Sequence, residues 1–133
     1  MRDFRKYTIW QDAVKVANQI YSLTAKFPAN EQYGLSNQLQ RAAVSISSNI
    51  AEGASRVSPI EYAHFLEISL GSAFEVETQL TISLQRYYIE KDEYNEMISQ
   101  LQSIERRINT LIIKLRANSE GKNQSQGQSQ SLS

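Results

Sequence analysis

Apolar residues return at steps of three and four along most of this chain, the repeat of an amphipathic α-helix. Trp10, Ala13, Val14, Ala17, Ile20, Tyr21, Thr24 and Phe27 form a first seam, and Ile9, Val16 and Leu23 lie beside it at seven-residue steps. Thr8-Ile-Trp-Gln11 fits a capping box at the start of this helix. Pro28 ends it, because the residue before a proline avoids helical angles. Leu35, Leu39, Ala42, Ile46 and Ile50 mark a second helix, from Glu31 or Leu35 to Gly53. Ser58-Pro-Ile-Glu61 opens a third, with serine as cap, proline at the first helical position and glutamate three residues after the cap. That helix runs to about Tyr88 on Tyr62, Phe65, Leu66, Ala73, Val76, Leu80 and Leu84. A fourth, capped by Asp92, follows Tyr94, Met97, Leu101, Ile104, Ile108, Ile112 and Leu115 to Arg116.

Four helices with short links predict an all-α fold, an antiparallel up-down-up-down four-helix bundle over residues 1–117. The segment 118–133 is Gln- and Ser-rich, has too few apolar residues to pack, and is expected to be a disordered tail.

The first and third helices carry more apolar surface than one bundle hides. A bundle helix buries roughly three positions in seven. Ile9, Val16, Leu23, Leu70, Phe74 and Ile82 exceed that allowance and are expected to face solvent in part in a single copy. A contiguous patch of that kind usually marks an interface, so the sequence predicts a homo-oligomer.

Composition narrows the chemistry. Fourteen basic residues cancel fourteen acidic ones in 133, so no overall field draws the chain to nucleic acid, and such binding would need a local patch. Arg106, Arg107, Lys114 and Arg116 are the candidates for that patch, with Arg2, Arg5 and Lys6 crowding the N-terminus. There is no cysteine, which removes thiolate metal sites and thiol nucleophiles and fits a reducing, cytoplasmic setting. No apolar run approaches the ~20 residues that span a bilayer, so no membrane partner is expected. Glu61 and His64 have the Glu-x-x-His spacing of di-iron bundle proteins, but a single histidine leaves the second half of such a site missing. Ser45, Ser47 and Ser48 have no nearby base in sequence to activate a hydroxyl. The reading is therefore of a protein that is not an enzyme and takes no metal or other cofactor.

A polar ladder is the remaining feature. Arg41, Ser45, Ser48, Glu52 and Arg56 repeat at helical steps beside the apolar seam of the second helix. Small hydroxyls between fixed charges suit close helix approach, as do Ser69, Gly71, Ser72 and Ala73 midway along the third helix. Gly53 suits either a helix C-cap or a close crossing.

Trp10-Gln-Asp-Ala13, Phe27-Pro28, Tyr33-Gly-Leu35, Gln38-Leu-Gln-Arg-Ala-Ala43, Ser48-Asn-Ile-Ala-Glu-Gly53, Phe65-Leu66 and Gly71-Ser72 with Glu75 follow in order. In these motifs, spread over roughly residues 4–116, the chain resembles the bacterial four-helix-bundle family of ribosomal RNA (23S) intervening-sequence proteins. The accessory protein of diversity-generating retroelements is a relative of that family. The resemblance implies a ring-like homopentamer and no known catalysis. It also implies that the family's motif residues fall on Arg41, Asn49, Glu52, Gly53, Gly71, Ser72 and Glu75, to which the residues themselves give structural roles: a buried or interfacial polar network, a tight turn and a close helix crossing. The retroelement protein is strongly basic and binds nucleic acid and its reverse transcriptase, whereas this chain has balanced charge. Two readings follow: an oligomeric scaffold that docks copies of itself or a protein partner, and an RNA- or DNA-binding accessory protein.

Overall fold

The computed structural model describes the backbone of residues 2–132 and the side chains of residues 2–120; of the expected tail at 118–133, the part beyond residue 120 lies outside the described side chains. Four helices carry the fold: α1 (Thr8–Thr24), α2 (Leu35–Ala54), α3 (Pro59–Gln85) and α4 (Lys91–Leu132). No β-strand occurs among the described residues. Short 3-10 turns at Phe4–Lys6 and Ala29–Glu31 precede α1 and α2. Each helix packs on the next, most extensively α2 on α3, and α1 closes against α4 most lightly. The result is the up-down-up-down bundle that the periodicity implies.

The core follows the seams. Ala13, Val16 and Ile20 from α1, Leu39, Ile46 and Ile50 from α2, Leu66, Val76 and Leu80 from α3, and Leu101, Ile104 and Ile108 from α4 are wholly buried. On α4 the core-facing pattern ends at Leu115.

Ile9, Val16 and Leu23 do not face solvent, contrary to the expectation from their spacing; all three are buried in the core. The reason is the position of α1. It packs on both α2 and α4 and is also met by the Phe4–Lys6 turn, so neighbours cover both flanks of its apolar seam. Leu70 is half-buried against the core, while Phe74 and Ile82 are exposed.

Helix starts also differ in detail. Tyr7, with no side-chain cap, precedes α1, and Gln11 donates to the carbonyl of Arg5 at 2.9 Å instead of closing a capping box with Thr8. The α2 start settles at Leu35, after the 3-10 turn that holds Glu31. Ser58 caps α3 as its sequence indicates, accepting from the Glu61 N–H at 3.4 Å. At α4 the cap is not Asp92: Glu93 accepts from the N–H of Glu90 at 3.1 Å.

Candidate interaction surface

The α2–α3 contact is built from small residues. Ser45 and Ser72 hydroxyls meet at 2.8 Å, and the Asn49 carboxamide donates to the carbonyl and hydroxyl of Ser45 at 2.8 and 2.9 Å. One turn along, the buried Ser69 hydroxyl donates to the Ile46 carbonyl at 2.8 Å. These groups satisfy one another at the crossing, so desolvating them leaves little penalty. Gly53 sits inside α2, not at its cap. A Cβ there would lie 2.9 Å from Phe65 Cβ and 3.2 Å from the Tyr62 carbonyl oxygen, so the helices cross where only glycine fits.

The charged rungs of the ladder stay outside this seam. Arg41, Ser48 and Glu52 are exposed. Glu52 pairs with Arg56 at 2.7 Å in an i,i+4 bridge, and the Arg56 guanidinium lies 4.8 Å from the Phe65 ring centroid. Arg41 and Glu75 line one open cleft between α2 and α3, of about 540 Å³, with Ser45, Ser72, Ile68 and Gln79. The expected close crossing at Gly71 is absent within the chain: a Cβ there would meet nothing within 4 Å. Gly71 lies on the outer side of α3, where α2 and α4 do not reach.

That outer side carries exposed apolar groups among polar ones, Glu67, Glu75 and Thr78. Phe74 is 51% exposed, Ile82 44% and Ile68 41%, with Val44 of α2 at 40%. By the 3.6-residue repeat, Ile68, Phe74 and Ile82 flank Gly71 and Thr78 along one stripe of α3.

The expected basic patch is not assembled as one surface. Arg107 turns toward α1, donating to Asp12 at 2.7 Å and to the Thr8 hydroxyl at 3.3 Å. Arg116 turns the other way and pairs with Glu67 of α3. Arg106 and Lys114 point to solvent. At the N-terminus, Arg2 donates to the Ala54 carbonyl at 3.4 Å and to the Arg56 carbonyl, and its guanidinium lies 4.6 Å from the Tyr62 ring centroid. Burial nevertheless dominates at Tyr62 and pushes its phenol up to about 12. Arg5 pairs with Asp3 at 3.3 Å. Arg2, Arg107 and Arg116 are thus spent on tying elements together.

Glu61 and His64 are exposed beside Phe65, and among the described residues no three His, Cys, Asp or Glu side chains converge. No helix of the described residues is long and apolar enough to cross a membrane.

Two features lie beyond sequence reasoning. The Arg2 latch joins residues far apart in the chain, so nothing local signals it. The Glu105 carboxyl of α4 faces Glu77 of α3, and burial first, then this neighbour, pushes it up to about 8. Each glutamate reads as an ordinary surface charge until the α3–α4 register is known.

Comparison with known proteins places these features. The family model of the 23S rRNA-intervening sequence protein matches residues 5–110. A solved structure of a protein of unknown function from the S23 ribosomal protein family of Bacteroides thetaiotaomicron VPI-5482 is similar, with a TM-score of 0.72. The two chains are 22% identical, and the match covers 79% of this chain and 98% of that one. No curated protein matches this chain.

Proposed function

This chain belongs to the 23S rRNA-intervening sequence protein family, and from that premise we propose that it acts as a non-catalytic homo-oligomeric scaffold or interaction module. The exposed apolar stripe of α3, Ile68, Phe74 and Ile82 around Gly71, carries the reading. Burying one such side chain stabilises by roughly 1.5–3 kcal/mol, so covering several favours association. Gly71 adds the room for a neighbouring helix to come close. A closed homopentameric ring, which the resemblance to the family implies, would cover this stripe on every copy. Native mass by light scattering tests the proposal. The wild-type chain should exceed a single-chain mass, and Phe74→Asp should lower it while circular dichroism stays helical. A wild-type single chain at every concentration would remove the reading.

An RNA- or DNA-binding accessory role, with kinship to the retroelement accessory protein, is the second reading. It is supported by Arg106 and Lys114, which reach solvent on α4 and would be repeated around a ring. The engagement of Arg107 with Asp12 and of Arg116 with Glu67 weighs against it. Binding to structured RNA at low salt that weakens steeply as salt rises would favour this reading over the first.

A further inference from the structure

We infer that the open cavity beside the turn between α2 and α3 binds a small phosphomonoester, with the phosphate on Arg56 and Arg116 and an apolar, ring-sized body on Phe65 and Ile60. This site stands apart from the oligomeric reading above and does not depend on it. The cavity measures about 470 Å³ and is lined by Arg56, Ile60, Glu61, His64, Phe65 and Arg116. That is room for a head group and one ring. Three stretches of chain meet here. The turn after α2 brings Arg56, the first turns of α3 bring Ile60 to Phe65, and α4 brings Arg116. The wall is well supported. Phe65 is packed against Gly53, the Arg56 guanidinium lies 4.8 Å from its ring centroid, and the His64 ring stands edge-on to it at 5.9 Å.

The head group follows from the charges. Two arginines and one imidazole line the cavity against a single carboxylate, Glu61. A guanidinium stays charged at any working pH and offers five donors in a planar fork. Arg56 engages Glu52 through one nitrogen, Arg116 engages Glu67 through one, and neither of these carboxylates belongs to the cavity wall. Each fork therefore keeps further N–H groups that an anion can take. Both pairs are exposed, and exposed pairs hold weakly, so an anion bridging the two arginines competes with them at little cost. A phosphomonoester brings nearly two charges and three acceptor oxygens, enough for both forks, where a carboxylate has one charge and two oxygens. The body follows from the wall. Ile60 is exposed and Phe65 half-buried, so an apolar group laid on them leaves water. The groove between α1 and α4 offers neither feature: it sets Lys15 and Lys26 against Glu93 and Glu96 and has no aromatic ring in its wall.

Titration calorimetry of the full chain at low salt, with phenyl phosphate, inorganic phosphate and phenol as probes, tests the site. Phenyl phosphate should bind, inorganic phosphate about tenfold more weakly, and phenol not measurably. R116Q should weaken phenyl phosphate about tenfold or more, because the bridging anion loses one fork. R106Q, on the same helix but outside the cavity, should bind like wild type. I60S should weaken phenyl phosphate and leave inorganic phosphate unchanged, because it touches only the body of the ligand. Phenyl phosphate that fails to bind in the millimolar range, or that binds no better than either of its fragments, overturns the inference. So does binding that R116Q leaves intact, or an equal loss in R106Q. Should R116Q fail to fold by circular dichroism, I60S decides: an equal effect on both phosphates, or none on either, overturns the site. The mass of Phe74→Asp is unaffected by any of these outcomes, so the oligomeric reading is judged separately.

Discussion

Gly53 on α2 and Phe65 on α3 face each other so closely that a methyl group on the glycine would come to 2.9 Å from Phe65 Cβ. Phe65 Cβ is anchored to its own backbone, and the Tyr62 carbonyl at 3.2 Å is backbone itself, so neither yields cheaply. Alanine would gain about 1 kcal/mol of helix propensity. Overpacking at a well-fitted contact costs about 1–3 kcal/mol. Gly53→Ala should therefore destabilise, by up to about 2 kcal/mol, in urea unfolding at fixed protein concentration. A stabilised variant would mean that the helices part easily at this point.

Glu52, one residue before, behaves differently. Among the described residues its only ion pair is the i,i+4 bridge to Arg56, and both side chains are substantially exposed. Exposed helical pairs contribute about 0.3–0.5 kcal/mol. Glu52→Ala should thus lower stability by no more than about 0.5 kcal/mol. A loss several times larger would place the glutamate in a desolvated network.

These two neighbours show what the sequence carries and what it withholds. The seams of α2 and α3, the cap at Ser58 and the all-helical bundle are set by local spacing, and they are readable. Whether Gly53 ends a helix or lets another one cross depends on where α3 lies, which no local pattern states. The same holds for Val16 and Arg107. The first needed α1 to lie between two neighbours, and the second needed Asp12, ninety-five positions away, to claim its charge. Phe74 and Ile82 were readable as exposed because α3 is apolar on more sides than the bundle has neighbours to cover.

Tyr87 stands at φ 63°, where glycine is usual, in the turn that ends α3. The N–H of Tyr88 returns to the Ser83 carbonyl at 2.9 Å and that of Tyr87 to Leu84 at 3.0 Å, the paired bonds of a Schellman cap. A side chain in this left-handed region costs about 1–2 kcal/mol. The Tyr87 ring is almost fully exposed, so removing it forfeits little packing. Glycine gives back part of the relief as extra freedom in the unfolded chain. Tyr87→Gly should raise stability by up to about 1 kcal/mol, read as a higher urea midpoint with an unchanged slope. A lower midpoint would show that the exposed ring makes contacts that offset the strain.

The Glu105 carboxyl gives the fold a pH dependence of definite sign. Burial raises it, and Glu77 opposite adds hydrogen bonding and repulsion in the same direction, so it titrates at about 8 instead of 4.5. Its Oε2 is buried with no donor to meet it, which suits a group that keeps its own proton. Between those two values the folded chain holds a proton that the unfolded chain has released. Stability then falls as pH rises through this window, because the folded state binds more protons. Below pH 4.5 both states are protonated and the contribution is complete. Glu105→Gln keeps the shape and a donor but cannot ionise. Thermal melts at matched protein concentration should show the variant more stable than wild type at pH 8, with the gap closing toward pH 4.5. Parallel curves for the two proteins across that range would mean that Glu105 ionises in the fold as it does in water.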